Sequence, residues 1–171
     1  MGGFAGFVNY SVNYLNDIGS ATNRLWRMAG VLGGCCHCGF DVLEDTGAFV
    51  QNSYVPIPAC DYYLREEDRV YYLFHSGLLC PKDQLCSAVR KAGVLMPLKM
   101  SCPCAGAFFM TSEKRLVLFR SRGGASLYYA LGDELVFGTS RKAFDPIHAV
   151  SLIEPGTCAV YDAGGLSIKP L

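Results

Sequence analysis

The sequence predicts an α+β fold in which antiparallel β-sheets are covered on both faces. Four short apolar runs lie between residues 105 and 144, and polar or glycine-rich turn segments separate them. The runs are apolar almost throughout instead of alternating with polar residues, which is typical of a sheet buried on both faces, as in a sandwich. We therefore expect an antiparallel meander whose other layers come from the rest of the chain. The runs span 106–111, 115–120, 126–131 and 134–138.

Length and charge narrow the class of protein. A chain of 171 residues suits one compact domain over 1–171, and a hydrophobic content of 51% provides a large core. Fifteen basic and fifteen acidic residues give a formal net charge of +0, so neither nucleic acid nor an anionic membrane is expected as a partner. A neutral, apolar chain instead favours burial of part of its surface against another protein.

Targeting signals and cysteines indicate the compartment. No apolar run reaches the roughly 18 residues that span a bilayer, and the first residues lack a charged segment followed by an apolar one. The nine cysteines are an odd number, which without a secretory signal argues for reduced, mostly buried thiols. The expected location is the cytoplasm.

The beginning of the chain predicts a strand followed by a helix. Residues 1–10 are apolar from the start, which indicates a strand held inside the protein. Residues 20–33 carry apolar side chains at helical spacing, with Ser20 as the N-cap, so this helix should pack on the sheet. Trp26 lies off the apolar stripe and is either a rim residue or an interface anchor. The stripe consists of Ala21, Leu25, Met28, Ala29 and Leu32.

The middle of the chain predicts a turn, a loop, a strand and a second helix. Residues 45–47 have a turn sequence, and the mixed charges of 61–69 indicate a solvated loop. Residues 69–75 form a strong strand candidate, and 85–92 carry a helical stripe. Residues 120–126 contain a Gly-Gly pair but lack the lysine and the following helix of a phosphate-binding P-loop, so a β-turn is expected there.

Motifs in the second half of the chain resemble a known family. In order, they are Gly106-Ala-Phe-Phe-Met, Leu118-Phe-Arg-Ser-Arg-Gly-Gly-Ala-Ser-Leu-Tyr-Tyr, Phe137-Gly-Thr-Ser-Arg-Lys-Ala-Phe and Ile153-Glu-Pro-Gly-Thr. Over residues 105–162 they resemble the closing half of a class II glutamine amidotransferase domain, the glutaminase half of asparagine synthetases. The resemblance implies the N-terminal nucleophile hydrolase fold, a four-layer αββα sandwich of two antiparallel sheets.

The same resemblance implies that the reacting group is missing. Members of the family begin Met-Cys-Gly, and the cysteine attacks the glutamine amide with its own α-amino group as the base. This chain has Gly2 at that position. Because glycine carries no nucleophile, we expect no catalytic residue and no glutaminase activity.

Other positions of the family's site also differ here. The family's His-Arg-Gly-Pro-Asp motif falls on residues 37–41, with the arginine and the proline replaced. Ser76-Gly77 stands where the family has an Asn-Gly pair that forms the oxyanion hole. We therefore predict a vestigial pocket without catalytic groups, formed by Gly2, His37, Asp41, Ser76, Gly77 and Gly123.

The two groups that hold the substrate in the family have no counterpart in this sequence. No arginine lies between Arg27 and Arg65 to grip the glutamine carboxylate, a role that depends on the guanidinium fork. No acidic residue lies between Asp83 and Glu113 to hold the glutamine amine. Together with the nucleophile and the oxyanion asparagine, these losses predict a domain that kept its fold and lost its reaction.

The cysteines allow two other interpretations. Cys35, Cys38, Cys102 and Cys104 could form a zinc site because thiolates are preferred zinc ligands, although their spacing departs from paired Cys-x-x-Cys. Buried thiols kept for packing are the simpler interpretation. Cys35 or Cys36 could instead be the nucleophile of a different enzyme. No cofactor is expected.

The sequence thus predicts a catalytically inactive glutamine amidotransferase-like domain. We expect an interaction or scaffold subunit of an ATP-dependent, asparagine-synthetase-like system that forms amides or macrolactams. The chain ends at Leu171, where the family continues into the synthetase half, so the expected partner is an asparagine-synthetase-type protein or a second copy. The alternative is a small ligand- or zinc-binding domain on the same fold.

Overall fold

The protein is described by a computed structural model that covers residues 2–54, 63–66, 69–76 and 103–170, with the backbone alone at 35–38, 63–66 and 69. These residues form two compact units, each built around one sheet. In chain order, the elements are β1 (Phe4–Val8), α1 (Ile18–Ala29), β2 (Cys35–Leu43), β3 (Gly47–Ser53), β4 (Tyr63–Glu66), β5 (Arg69–Ser76), β6 (Ala105–Met110), β7 (Arg115–Arg120), β8 (Tyr128–Leu131), β9 (Leu135–Gly138), β10 (Ser151–Leu152), β11 (Thr157–Asp162) and β12 (Gly165–Pro170).

Both sheets have six strands, and the pairings between neighbouring strands are antiparallel. The first unit contains α1 and the sheet with strand order β10-β8-β9-β1-β3-β2. The second unit contains the sheet with strand order β12-β11-β7-β6-β5-β4. The predicted class, α+β with two antiparallel sheets, is confirmed. None of the helices in the described ranges is long and apolar enough to cross a membrane.

The strand at the beginning of the chain lies inside the first sheet, as predicted. β1 is flanked by β3 and β9, and all of its residues are buried. Gly6 pairs with Phe49 on one side and Phe137 on the other. A Cβ atom at Gly6 would lie 2.8 Å from the Phe137 ring and 2.9 Å from the Phe49 ring. Glycine at this position therefore lets the two rings close over the strand, with their centroids 5.9 Å apart.

The predicted helix exists, but its ends differ from the prediction. Asp17 is the N-cap of α1 because its carboxylate accepts a hydrogen bond from the Ser20 backbone N–H at 3.1 Å. Ser20, the predicted cap, lies inside the helix, and Ala29 is the last helical residue. The apolar stripe is confirmed, since its members are buried in the core of the first unit. These members are Ala21, Leu25, Met28, Ala29 and Leu32.

A charged cluster ties α1 to the first sheet. The Arg24 guanidinium lies 4.0 Å above the ring of Phe7 and forms an ion pair with Glu134. The Tyr14 hydroxyl donates a hydrogen bond to the same carboxylate at 2.6 Å. Cation–π contacts and shared carboxylates of this kind stabilise a helix on a sheet when the groups are partly shielded from water.

The second sheet has an apolar core of its own. Tyr71 of β5 and Phe108 of β6 stack with their ring centroids 5.5 Å apart. Glycine at position 106 leaves room for the ring of Phe119, another member of this core, because a Cβ atom there would meet that ring. The buried residues of this core are Tyr71, Leu73, Cys104, Phe108, Met110, Val117, Phe119, Cys158 and Val160.

The predicted meander is wrong, because its two hairpins belong to different sheets. β6 and β7 pair in the second sheet, whereas β8 and β9 pair in the first. The change of sheet follows a turn in which Gly124 N–H donates to the Ser121 carbonyl at 3.0 Å and Gly123 has φ 78°. The β-turn itself was predicted correctly. Turn sequences set where a strand ends, but they do not set which strand it pairs with.

Three other predictions concern the middle of the chain. The turn at 45–47 is confirmed by a hydrogen bond from Glu44 N–H to the Gly47 carbonyl at 2.8 Å, and the strand at 69–75 by β5. The predicted loop at 61–69 is wrong, since β4 and the start of β5 form a hairpin there. β4 is an edge strand, and edge strands commonly carry the charged residues that suggested a loop. The helix predicted at 85–92 lies outside the described residues.

Candidate functional site

Gly2 lies against the backbone of β3 at the start of the first strand. The next residue, Gly3, donates its N–H to the Gly33 carbonyl at 3.0 Å and accepts from Asn52 N–H at 2.8 Å. A Cβ atom at Gly2 would lie 1.6 Å from the carbonyl oxygen of Asn52 and 2.7 Å from Cα of Ser53. Because these are backbone atoms, a side chain at residue 2 requires the main chain to move.

Two further glycines approach the same end of β3. Gly34 has φ 99°, a left-handed conformation that favours glycine, and its Cβ would lie 3.0 Å from Ser53 N. A Cβ at Gly39 would lie 2.3 Å from the carbonyl oxygen of Gln51. The three glycines thus pack main chain against main chain around Gln51, Asn52 and Ser53. The space beside Gly2 is therefore filled by backbone.

Asn52 is the buried polar residue at the centre of this packing, with an exposed fraction of 2%. Its Nδ2 donates a hydrogen bond to the carbonyl oxygen of Ala29, at the end of α1, at 2.8 Å. This bond orients the amide, and its Oδ1 accepts no hydrogen bond from the residues that the structure describes. A buried acceptor without a partner costs about 1–3 kcal/mol, so this oxygen needs an explanation.

A cavity of about 450 Å³ lies beside Asn52 in the first unit. It opens between the end of α1 and the strands β2 and β3. Asp41 of the predicted vestigial pocket lines it and is exposed to solvent. The lining residues are Trp26, Ala29, Gly30, Gly39, Phe40, Asp41, Val50 and Asn52.

Ser76 and Gly123, two other members of the predicted vestigial pocket, belong to the second unit. Ser76 is the last residue of β5, is buried and pairs with Ala105. Gly123 occupies the exposed turn after β7, where its positive φ favours glycine. Gly77 and the side chain of His37 lie outside what the structure describes. The pocket as a set of six residues stays a prediction.

The loop after β7 is held by a serine that the sequence analysis did not single out. Ser121 Oγ accepts from Cys104 N–H at 2.7 Å and donates to the Cys104 carbonyl at 3.0 Å. Arg120 Nε donates to the Gly124 carbonyl at 3.2 Å, and its Nη1 donates to the Ile153 carbonyl at 2.9 Å. These bonds give the Arg-Ser-Arg-Gly-Gly sequence a structural role in the turn.

The cysteines are described only in part. Cys104 and Cys158 are buried thiols in the core of the second unit. Burial raises the pKa of the Cys158 thiol, and Lys169 partly offsets this by lowering it. Among the described residues, no three histidine, cysteine or acidic side chains are grouped to hold a metal ion. Cys102 and the side chains of Cys35, Cys36 and Cys38 fall outside that description, so the zinc and nucleophile hypotheses stay predictions.

Asn52 and the cavity beside it were missed by sequence reasoning, although a signal was available. β3 reads Gly-Ala-Phe-Val-Gln-Asn-Ser, in which a polar triplet interrupts an apolar strand. All seven of its residues are buried. Consecutive buried polar residues at a strand end are uncommon in a core and favour a site.

Comparison with known proteins finds solved structures with a similar architecture. No protein-family model matches the sequence, and no curated protein matches it. Two solved structures are similar: glutamine phosphoribosylpyrophosphate (PRPP) amidotransferase from B. subtilis, complexed with ADP and GMP, and a structure described as the allosteric regulatory enzyme of purine biosynthesis. Their TM-scores are 0.72 and 0.73, at 14% and 13% identity.

Both likenesses cover 98% of this chain but 49% and 48% of the similar chains. The chain therefore spans about half the length of those proteins. Identities this low show the fold alone. The chain has the fold of N-terminal nucleophile hydrolases, as found in the glutamine amidotransferase domains that it resembles in structure.

Proposed function

We propose that this chain is a cytoplasmic glutamine amidotransferase-like domain that does not hydrolyse glutamine. Its role is that of an interaction or scaffold subunit in an ATP-dependent, asparagine-synthetase-like system that forms amides or macrolactams. The fold supports the amidotransferase-like part of this proposal. The other two parts, the loss of activity and the partnership, are argued from individual residues of this chain.

The observation that carries the loss of activity is the packing at Gly2. The reaction requires a thiolate on this residue, and the position lies 1.6 Å, measured from a Cβ atom, from the Asn52 carbonyl oxygen. A missing oxyanion donor alone costs on the order of 3 kcal/mol of transition-state stabilisation. The absence of a nucleophile removes the covalent route altogether.

An ammonia-release assay with glutamine tests this part. We expect the wild-type chain and the Gly2→Cys variant to release no more ammonia than heat-denatured protein, because a cysteine at residue 2 does not fit the present backbone. Gly132→Cys is the matched control, since apart from its two chain neighbours no described residue has an atom within 4 Å of a Cβ there, and the added thiol stands in open space. Enzymatic ammonia release by the wild-type chain would overturn the proposal.

The interaction role is supported by the surface of the first unit. Large apolar side chains are exposed there, among them Trp26 at 68%, Tyr54 at 64% and Ile147 at 89%. Exposed aromatic and aliphatic residues on a chain of zero net charge favour burial against a protein. In the described residues, Ile168 is the large exposed apolar residue of the second unit, and the others belong to the first.

Affinity purification from the native cells, followed by mass spectrometry and light scattering, tests the partnership. We expect to recover an asparagine-synthetase-type protein with ATP-dependent activity. The double variant Trp26→Asp, Ile147→Asp should lose it, whereas Ile168→Asp should retain it. Recovery of the monomeric chain alone under conditions that preserve known complexes would contradict the role.

The alternative, a ligand-binding domain on the same fold, is favoured by the cavity beside Asn52. Its zinc form is tested by elemental analysis of the purified protein, in which one equivalent of zinc would support it. Its ligand form is developed below.

A further inference from the structure

The cavity beside Asn52 has the size of a small-molecule site. Its volume of about 450 Å³ lies within the roughly 300–1,000 Å³ typical of ligand pockets. The walls are largely apolar and come from Ala29, Val50, Phe40 and the exposed ring of Trp26. A pocket of this kind binds a compact apolar group and selects it through a few polar contacts.

Asn52 lines the cavity with a buried side chain. Asn52 Nδ2 donates a hydrogen bond to the Ala29 carbonyl at 2.8 Å. A rotation of the amide by half a turn would place Oδ1 against that carbonyl oxygen, so the orientation of the amide is fixed. Its Oδ1 is buried and unpartnered among the described residues. Solvent does not reach this oxygen, so the polar group that a ligand in the cavity can contact is the exposed Asp41 carboxylate.

The charge around the cavity favours a cation. Asp41 contributes a carboxylate, and the end of α1 at Ala29 and Gly30 presents the negative pole of the helix dipole. The face of Trp26 adds the ring quadrupole that attracts ammonium groups. None of the described lining residues carries a positive charge.

We propose that this cavity binds a primary or secondary organic ammonium ion with a small aromatic or branched aliphatic substituent. The ammonium charge is balanced by the Asp41 carboxylate and the Trp26 ring, and the substituent packs on Val50 and Phe40. The proposal does not depend on the loss of glutaminase activity, because it uses neither a residue-2 nucleophile nor an oxyanion hole.

A second cavity on the same helix provides an internal contrast. It has a volume of about 240 Å³, and its charged lining residues are Arg24, Arg27, Lys142 and Asp145, three basic against one acidic. An ammonium ion is repelled there by like charges. Binding of an organic cation to the first unit can therefore be assigned to the cavity beside Asn52.

Intrinsic fluorescence tests the proposal directly, because Trp26 is the single tryptophan of the chain. The full chain is titrated with benzylammonium chloride, and with benzyl alcohol and sodium benzoate as a neutral and an anionic analogue. We expect a saturable change with benzylammonium and an affinity at least about tenfold higher than for either analogue, the factor of one charge-assisted hydrogen bond.

The variant Asp41→Asn should weaken benzylammonium binding by about tenfold and leave benzyl alcohol binding unchanged. Asp133→Asn is the matched control, because Asp133 is also exposed in the first unit but does not line the cavity. Circular dichroism verifies that both variants are folded. Equal affinities for the three probes, no saturable change with benzylammonium, or equal binding by the Asp41→Asn and Asp133→Asn variants would overturn the proposal.

Discussion

The two units are built alike but differ in what their interiors contain. Each has a six-stranded antiparallel sheet with a buried apolar core. In the second unit, the buried Ser121 is hydrogen-bonded to the backbone of Cys104 in both directions. In the first unit, the buried Asn52 lines a cavity, and its Oδ1 has no hydrogen-bond partner among the described residues.

This difference indicates where stability and binding are located. A polar group that is fully hydrogen-bonded in a core stabilises the fold, whereas an unpartnered one is retained at a cost in stability. The proposed binding role therefore belongs to the first unit, and the described part of the second unit provides structural support. Four predictions test this contrast.

The largest effect is expected at the glycine that packs on β3. Gly2→Ala should lower the free energy of unfolding by about 3 kcal/mol or more, because the added methyl group meets the Asn52 carbonyl and the backbone must move. Gly132→Ala should leave it unchanged or raise it by about 0.5 kcal/mol, since that site is open. Urea unfolding of both variants measures the difference, and equal values would refute the packing at residue 2.

The next effect concerns the serine of the second unit. Ser121→Ala removes two hydrogen bonds to Cys104, one of them accepted from the buried Cys104 N–H. The free energy of unfolding should therefore fall by about 1–3 kcal/mol. Ser167→Ala, on the exposed face of β12, should change it by less than about 0.5 kcal/mol. The same urea assay compares them, and a neutral Ser121→Ala variant would remove the contrast between the units.

A smaller, pH-dependent effect is expected at Cys158. Burial raises the pKa of this thiol in the folded state above its ordinary value of 9.0. As the pH rises, the thiol therefore loses its proton at a lower pH in the unfolded chain than in the folded chain. The stability that the thiol contributes is therefore complete below pH 9.0 and decreases as the pH rises, by at most about 1.4 kcal/mol per pH unit.

The measurement is the difference in unfolding free energy between the wild-type chain and the Cys158→Ala variant at several pH values. This difference should shrink from pH 8 to pH 10. A difference that is constant or grows across this range would show that the thiol is not buried in the folded state.

The smallest effect is expected at Asn52, which sharpens the comparison with Ser121. Asn52→Leu removes the bond to the Ala29 carbonyl, but that carbonyl still accepts from Leu32 N–H at 3.2 Å. The substitution also removes the unpartnered oxygen, so the free energy of unfolding should change by less than about 0.5 kcal/mol. A loss of stability as large as that of Ser121→Ala would mean that Asn52 is structural.

Local patterns in the sequence were sufficient for most of the elements. The apolar start predicted β1, the helical stripe predicted the buried face of α1, and turn residues predicted both hairpins of the second half. Such features depend on neighbours within a few residues, through the periods of strand and helix and the conformations of glycine and aspartate. The errors occurred where contacts with other residues determined the outcome. The N-cap of α1, for example, is Asp17 instead of the predicted Ser20.

The tertiary structure alone decided which sheet each hairpin joined, what Gly2 contacts and where the cavity lies. β7 and β8 are neighbours in sequence but belong to different sheets, and residue 2 meets residue 52 only through the pairing of β1 with β3. These contacts join distant parts of the chain, and their energies depend on the packing of whole sheets. The amino-acid sequence therefore determined that residue 2 has no nucleophile, and the fold determined that it has no room for one.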